Sequence, residues 1–107
     1  MKRYGMVIRL KEGCESEYWS FHAHVWPEVL AKIRECNIHN YSIYLKENLL
    51  FSYFEYHGAD FRSDMDKMAA DPNTQRWWSI VSPMQLPLES RAEGQWWADM
   101  AEVFHVD

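Results

Sequence analysis

Two spacing patterns alternate along this chain, and their order limits the folds open to it. Residues 4–10 place Tyr4, Met6, Ile8 and Leu10 on one side and Gly5, Val7 and Arg9 on the other, the two-residue period of a strand. Lys11-Glu12-Gly13 turns the chain. From about Glu15 the spacing becomes three and four, so that Tyr18, His22, Val25 or Trp26, Val29 and Ile33 share one helical face. Pro27 falls inside that run. It lacks a backbone N–H and crowds the preceding turn, so the helix should kink or restart near Trp26, with Pro27 opening the second piece.

Period two returns over residues 38–45, with His39, Tyr41, Ile43 and Leu45 expected on one face and Ile38, Asn40, Ser42 and Tyr44 on the other. Lys46-Glu47-Asn48 is a tight turn into a third strand over 49–56. After His57-Gly58-Ala59, Asp60 can cap a helix over 61–70, and Asp71-Pro72 opens another that carries Trp77-Trp78 and ends near Pro83. Residues 84–96, with Pro87 and Gly94, read as a loop, and Met100 to Val106 as a closing strand. Strand, helix, strand, strand, helix, strand predicts an α+β, ferredoxin-like βαββαβ arrangement, one domain over residues 1–107. Helices cover one face of such a sheet. The other face needs cover too, and a homodimer is the expected answer.

Composition removes several function classes. A net charge of −5 with dispersed Lys and Arg argues against nucleic acid. No apolar run approaches the ~20 residues of a membrane span, and Met1 to Arg9 is apolar too briefly for a signal peptide. No membrane partner and a cytoplasmic location are therefore expected. Cys14 and Cys36 bracket the first helical run, which would hold them roughly 33 Å apart if continuous, so both are expected as reduced thiols. No His-Glu-x-x-His pattern occurs, and His22 and His24 are badly spaced for one metal on a helix, so no metal is expected.

What remains is an excess of amphipathic rings: 6 Trp, 6 Tyr and 5 His in 107 residues. Such rings bury a flat apolar face and keep a polar tip, which suits a small polyhydroxylated ligand. Tyr18 and His22 lie one helical turn apart and project the same way, so a phenol and a titratable imidazole can meet in one pocket. His22 can equally be a core-lining imidazole satisfied by one hydrogen bond. Tyr41 can reach a pocket or simply fill the sheet face. Trp77 and Trp78 stand about 100° apart on their helix, so one can be core while the other stacks on a ligand or a subunit. Trp96 and Trp97 suit a pocket plug or an interface.

Taken in order, several segments resemble the L-rhamnose mutarotase family. They are Tyr18-x-x-x-His22, Val25-Trp26-Pro27-Glu28, His39-Asn40-Tyr41-Ser42-Ile43-Tyr44-Leu45, Asn48-Leu49-Leu50-Phe51, Gln75-Arg76-Trp77-Trp78 and Glu102-Val103-Phe104-His105, and they span nearly the whole chain. The resemblance implies a dimeric α/β-barrel of ferredoxin-like type and a cofactor-free isomerase. Such an enzyme interconverts the anomers of L-rhamnose or a related 6-deoxy-L-hexose such as L-fucose. It implies His22 as the proton donor, and Tyr18, Tyr41, Trp77 and Trp78 as sugar-binding residues. Two other classes share these features: a dimeric α/β-barrel monooxygenase, on fold analogy alone, and a non-catalytic sugar-binding module.

Overall fold

A computed structural model describes residues 1–107. The elements run β1 (Lys2–Leu10), α1 (Glu15–Ala23), α2 (Pro27–Glu35), β2 (Ile38–Lys46), β3 (Leu49–Tyr56), α3 (Phe61–Ala69), α4 (Pro72–Val81), β4 (Gln85–Leu86) and β5 (Ala98–Met100). The even-numbered side of β1 decides where the helices sit. Ile8 and Leu10 are buried with Leu50 of β3 against Tyr18, Val29, Trp77 and Val81. Towards the other end of the sheet, Phe54, Tyr56 and Ile38 pack with Tyr4, Met6, Phe61 and Met65. Burial of these apolar side chains is the dominant favourable force in such a domain.

The sheet is antiparallel, in the order β2-β3-β1-β4, with β5 also paired to β1. This is the ferredoxin-like strand order. Its last strand comes in two short pieces: β4 lies opposite Arg9 and Leu10, and β5 opposite Gly5 to Val7. Part of the stretch expected to be loop over 84–96 is therefore strand, and residues 87–97 loop out between the two pieces.

The helix breaks where Pro27 requires it. The His24 N–H closes the end of α1 on the Phe21 carbonyl, Trp26 is extended at φ −61° and ψ 137°, and Pro27 opens α2. Asp60 caps α3 by accepting from the Ser63 N–H at 3.1 Å, and Asp71 caps α4 by accepting from the Thr74 N–H at 2.9 Å.

Two expectations need correction. The closing strand does not occupy 100–106: pairing stops at Met100. In that register Val103 would face Lys2, where β1 begins, so Phe104 to Val106 have no strand within the chain to pair with. Arg3 reaches Glu102 at 2.8 Å, the last contact before the exposed tail. The second correction concerns β2. His39 pairs with Glu55 but Ser42 pairs with Tyr53, so Asn40 and Tyr41 share the space opposite Phe54. This bulge, with Asn40 at φ 49°, sends His39 and Tyr41 to opposite faces instead of the same one.

Where α2 passes into β2, a buried carboxylate ties three segments together. Asp64 accepts from the Tyr56 hydroxyl at 2.5 Å and from Asn37 Nδ2 at 3.0 Å, and these two bonds hold its carboxyl below the usual aspartate range. The Tyr56 oxygen in turn accepts from the Asp60 N–H at 3.1 Å. Gly58 leaves the room this needs, because a Cβ there would overlap the Tyr56 hydroxyl and the Asp64 carboxylate. Gly58→Ala should therefore lower the melting temperature by roughly 5–15 °C, read by calorimetry. An unchanged transition would show that the cluster yields without cost.

Candidate active site

Helix α1 brings the first two site residues together through its own backbone. His22 Nδ1 lies 2.8 Å from the carbonyl oxygen of Tyr18, one turn earlier. A carbonyl can only accept, so Nδ1 carries the proton. In the neutral ring Nε2 is then left as an acceptor. The Tyr18 and His22 rings stack at 4.2 Å, and Trp77 stands edge-on to the imidazole at 5.4 Å. Burial lowers the His22 pKa and so favours the neutral ring, only partly opposed by the bond to the Tyr18 carbonyl.

The bulge in β2 supplies the third residue. It aligns Tyr41 with Ile43 on the helix-covered face, where its ring meets the edge of Phe54 at 5.5 Å, while His39 packs against His57 at 4.8 Å. Asn40, left over at the bulge, donates to Glu55 at 2.7 Å. Tyr41 lines the cleft while 43% of the residue stays exposed. Burial, with a smaller effect of the Tyr18 phenol, pushes its pKa up to about 12. Burial also raises Tyr18.

All five residues singled out in the sequence line one cleft of about 730 Å³. The two tryptophans divide as their angular separation requires. Trp77 is buried, packed between His22, Phe21 and Trp26, and its stacking surface is largely taken up by the protein. Trp78 keeps an exposed face on the cleft. Val25, Val29 and Ile43 add apolar wall.

One polar residue of the site, Gln85, carries no mark in the sequence. Gln85, buried in β4, donates through Nε2 to Tyr18 Oη at 3.0 Å and accepts at Oε1 from Trp96 Nε1 at 2.7 Å. Gln85 lies in a stretch read as loop, with no spacing signal to mark it. Trp96 carried only its ring type, and its use as a pocket wall agrees with one of its two expected roles.

An imidazole with a free acceptor nitrogen, two protonated phenols and tryptophan surface, all in a cleft of ligand size, equip the cleft for acid–base chemistry on a small polar ligand. The comparisons narrow that class. Residues 3–106 match the L-rhamnose mutarotase family profile. An L-rhamnose mutarotase of Oceanobacillus iheyensis is 33% identical over 109 residues, and one of Phocaeicola vulgatus 32% over 119, each alignment covering all of both chains. Among solved structures, an L-rhamnose mutarotase from Formosa agariphila superposes with a TM-score of 0.78 at 20% identity, over all of both chains. Tetracenomycin F2 cyclase from Streptomyces glaucescens superposes at 0.69 with 15% identity, again over all of both chains, which shows shared fold alone. The chain belongs to the L-rhamnose mutarotase family, isomerases that act on carbohydrate anomers.

The tautomer can be read directly. Long-range 1H–15N NMR of His22 should show the proton on Nδ1 at neutral pH and a midpoint below the ordinary value of 6.5. A proton on Nε2, or a raised midpoint, would contradict the geometry.

Proposed function

We propose that this protein, as one domain over residues 1–107, is an L-rhamnose mutarotase that interconverts the α and β anomers by acid–base ring opening and reclosure. The observation that carries the reading is the meeting, in one cleft of a family member, of His22 with a free Nε2 and the phenols of Tyr18 and Tyr41. Opening the pyranose requires that the anomeric hydroxyl lose its proton while the ring oxygen gains one. The C1–O5 bond then breaks and the aldehyde forms. Rotation about C1–C2 presents the other carbonyl face, and O5 adds back. His22 takes the O1 proton on opening and returns it on reclosure, so it serves as proton donor in the second half. A phenol holds the proton that O5 takes up. The chemistry calls for neither a metal nor a redox cofactor.

Trp78 offers its exposed face to the C–H side of the sugar, and Val25, Val29 and Ile43 suit a 6-deoxy methyl group. L-fucose shares that methyl, so both sugars belong in the test. Saturation-transfer NMR should show faster anomer exchange of L-rhamnose with protein present. His22→Ala should slow that exchange by about 10²- to 10⁴-fold. Binding without faster exchange would mark a sugar-binding module instead.

The same reading includes a homodimer. The sheet face away from the helices carries Tyr44, Phe51 and Val7 in one cross-strand row, with Leu86 and Met100 beside it. Val103, Phe104 and Val106 of the tail are exposed as well. So much apolar surface on one side favours a second copy as its cover. Analytical ultracentrifugation should give twice the chain mass of 12.9 kDa, and a stable monomer would rule the dimer out.

A further inference from the structure

Gln85 and Trp96 meet at the oxygen of Tyr18, and their chemistry gives that contact a direction. An indole N–H can only donate. With Trp96 Nε1 at 2.7 Å, Gln85 must turn its carbonyl oxygen towards Trp96, because the reversed amide would set N–H against N–H. Its NH₂ then faces Tyr18 Oη at 3.0 Å and donates to it. The Tyr18 oxygen is thus an acceptor on the Gln85 side, and its single proton must point elsewhere. Gln85 and Tyr18 are 5% and 4% exposed, so bulk water does not compete for these atoms. No group of the chain accepts the Tyr18 proton, and Tyr18 lines the cleft.

We propose that Trp96 and Gln85 are positioning residues that hold Tyr18 as the proton donor to the sugar ring oxygen, with Nε2 of His22 as the acceptor. This rests on the mutarotase reading and completes its proton balance. As the C1–O5 bond breaks, the Tyr18 hydroxyl gives its proton to O5 while His22 takes the proton of O1. The N–H of Gln85 supports the charge left on the Tyr18 oxygen. On reclosure that oxygen recovers the O5 proton and His22 returns its own to O1. Both protein groups end as they began. Tyr41 has no hydrogen-bond partner in the chain, so its hydroxyl is free to turn towards either a donor or an acceptor. That suits holding the sugar's other hydroxyls. Trp96 sits in the segment looped out between β4 and β5, so this loop sets the polarity of the site as well as walling it.

Gln85→Glu tests the direction. An ionised carboxylate accepts from both neighbours and turns the Tyr18 proton away from the cleft. At about pH 8 kcat for L-rhamnose exchange should fall on the order of 100-fold, with KM changed by less than about threefold. The protonated carboxyl group copies the amide, accepting from Trp96 and donating to Tyr18. The ratio of variant to parent kcat should therefore climb as pH falls towards about 5. Trp96→Phe, on a half-exposed residue, removes the orienting donor without stressing the fold, and kcat should fall roughly three- to tenfold. A third readout needs no turnover: the Trp96 indole proton should move upfield in Gln85→Leu.

A pH-independent ratio, a loss confined to KM, or both variants within about twofold of the parent kcat would overturn the positioning role. If Gln85→Glu does not fold, Trp96→Phe and the indole proton decide. Should the unmodified protein fail to exchange L-rhamnose anomers, the functional reading falls, and the catalytic role of the two residues with it.

Discussion

Trp77 is where the core and the site become one object. Its ring is packed edge-on by His22, Phe21 and Trp26, which joins α1, α2 and α4 around a single side chain. Val29, Val81 and the sheet residues Ile8, Leu10 and Leu50 complete the same cluster. A ring this large, held from several sides, has almost no freedom to move, because protein interiors are packed to crystal-like density. The imidazole packed against it inherits that rigidity. The acid–base role proposed for it needs such rigidity, and packing supplies it before any hydrogen bond is counted.

Hydrogen bonds then decide which way protons run. The Tyr18 carbonyl claims Nδ1 of His22 and so leaves Nε2 to accept. The Gln85 amide, itself turned by the Trp96 indole, claims one side of the Tyr18 oxygen. Burial acts in the same sense on both groups, since removing water disfavours charge: the imidazole stays neutral and the phenol protonated. The resting site thus offers one acceptor and one donor, the pair that the proposed ring opening uses. The proton-donor role expected for His22 and its neutral resting state are compatible, because in the proposed reaction one imidazole takes a proton on opening and gives it on closing.

Much of the fold could be read along the chain because its signals are local. Pro27 breaks a helix wherever it falls inside one, Asp60 and Asp71 cap the helices they precede, and the turn at Lys46 to Asn48 closes a hairpin between two alternating runs. The misreadings have physical causes of a different kind. Alternation over 38–45 promised a regular strand, but a bulge inserts an extra residue, and no periodicity records that. The tail after Met100 has the composition of a strand, yet β1 begins too late to pair with Phe104 to Val106. Composition states a preference for extended backbone; pairing needs a partner at the right register.

The active site divides along the same line. Tyr18 and His22 could be paired from spacing, because a helical turn puts residues four apart on one face whatever the rest of the chain does. Their order with Tyr41 and Trp77-Trp78 pointed to the family as well. Which of the tryptophans keeps a free face, which way Tyr41 turns, and which neighbour directs the Tyr18 proton depended on contacts between residues far apart in the chain. Gln85 lies 67 positions from Tyr18, and its role exists only because β4 docks beside the end of β1. Local sequence writes the chemistry of each side chain and its immediate periodicity. The direction of a hydrogen bond between distant residues belongs to the assembled fold, since geometry and burial choose the donor and the acceptor together.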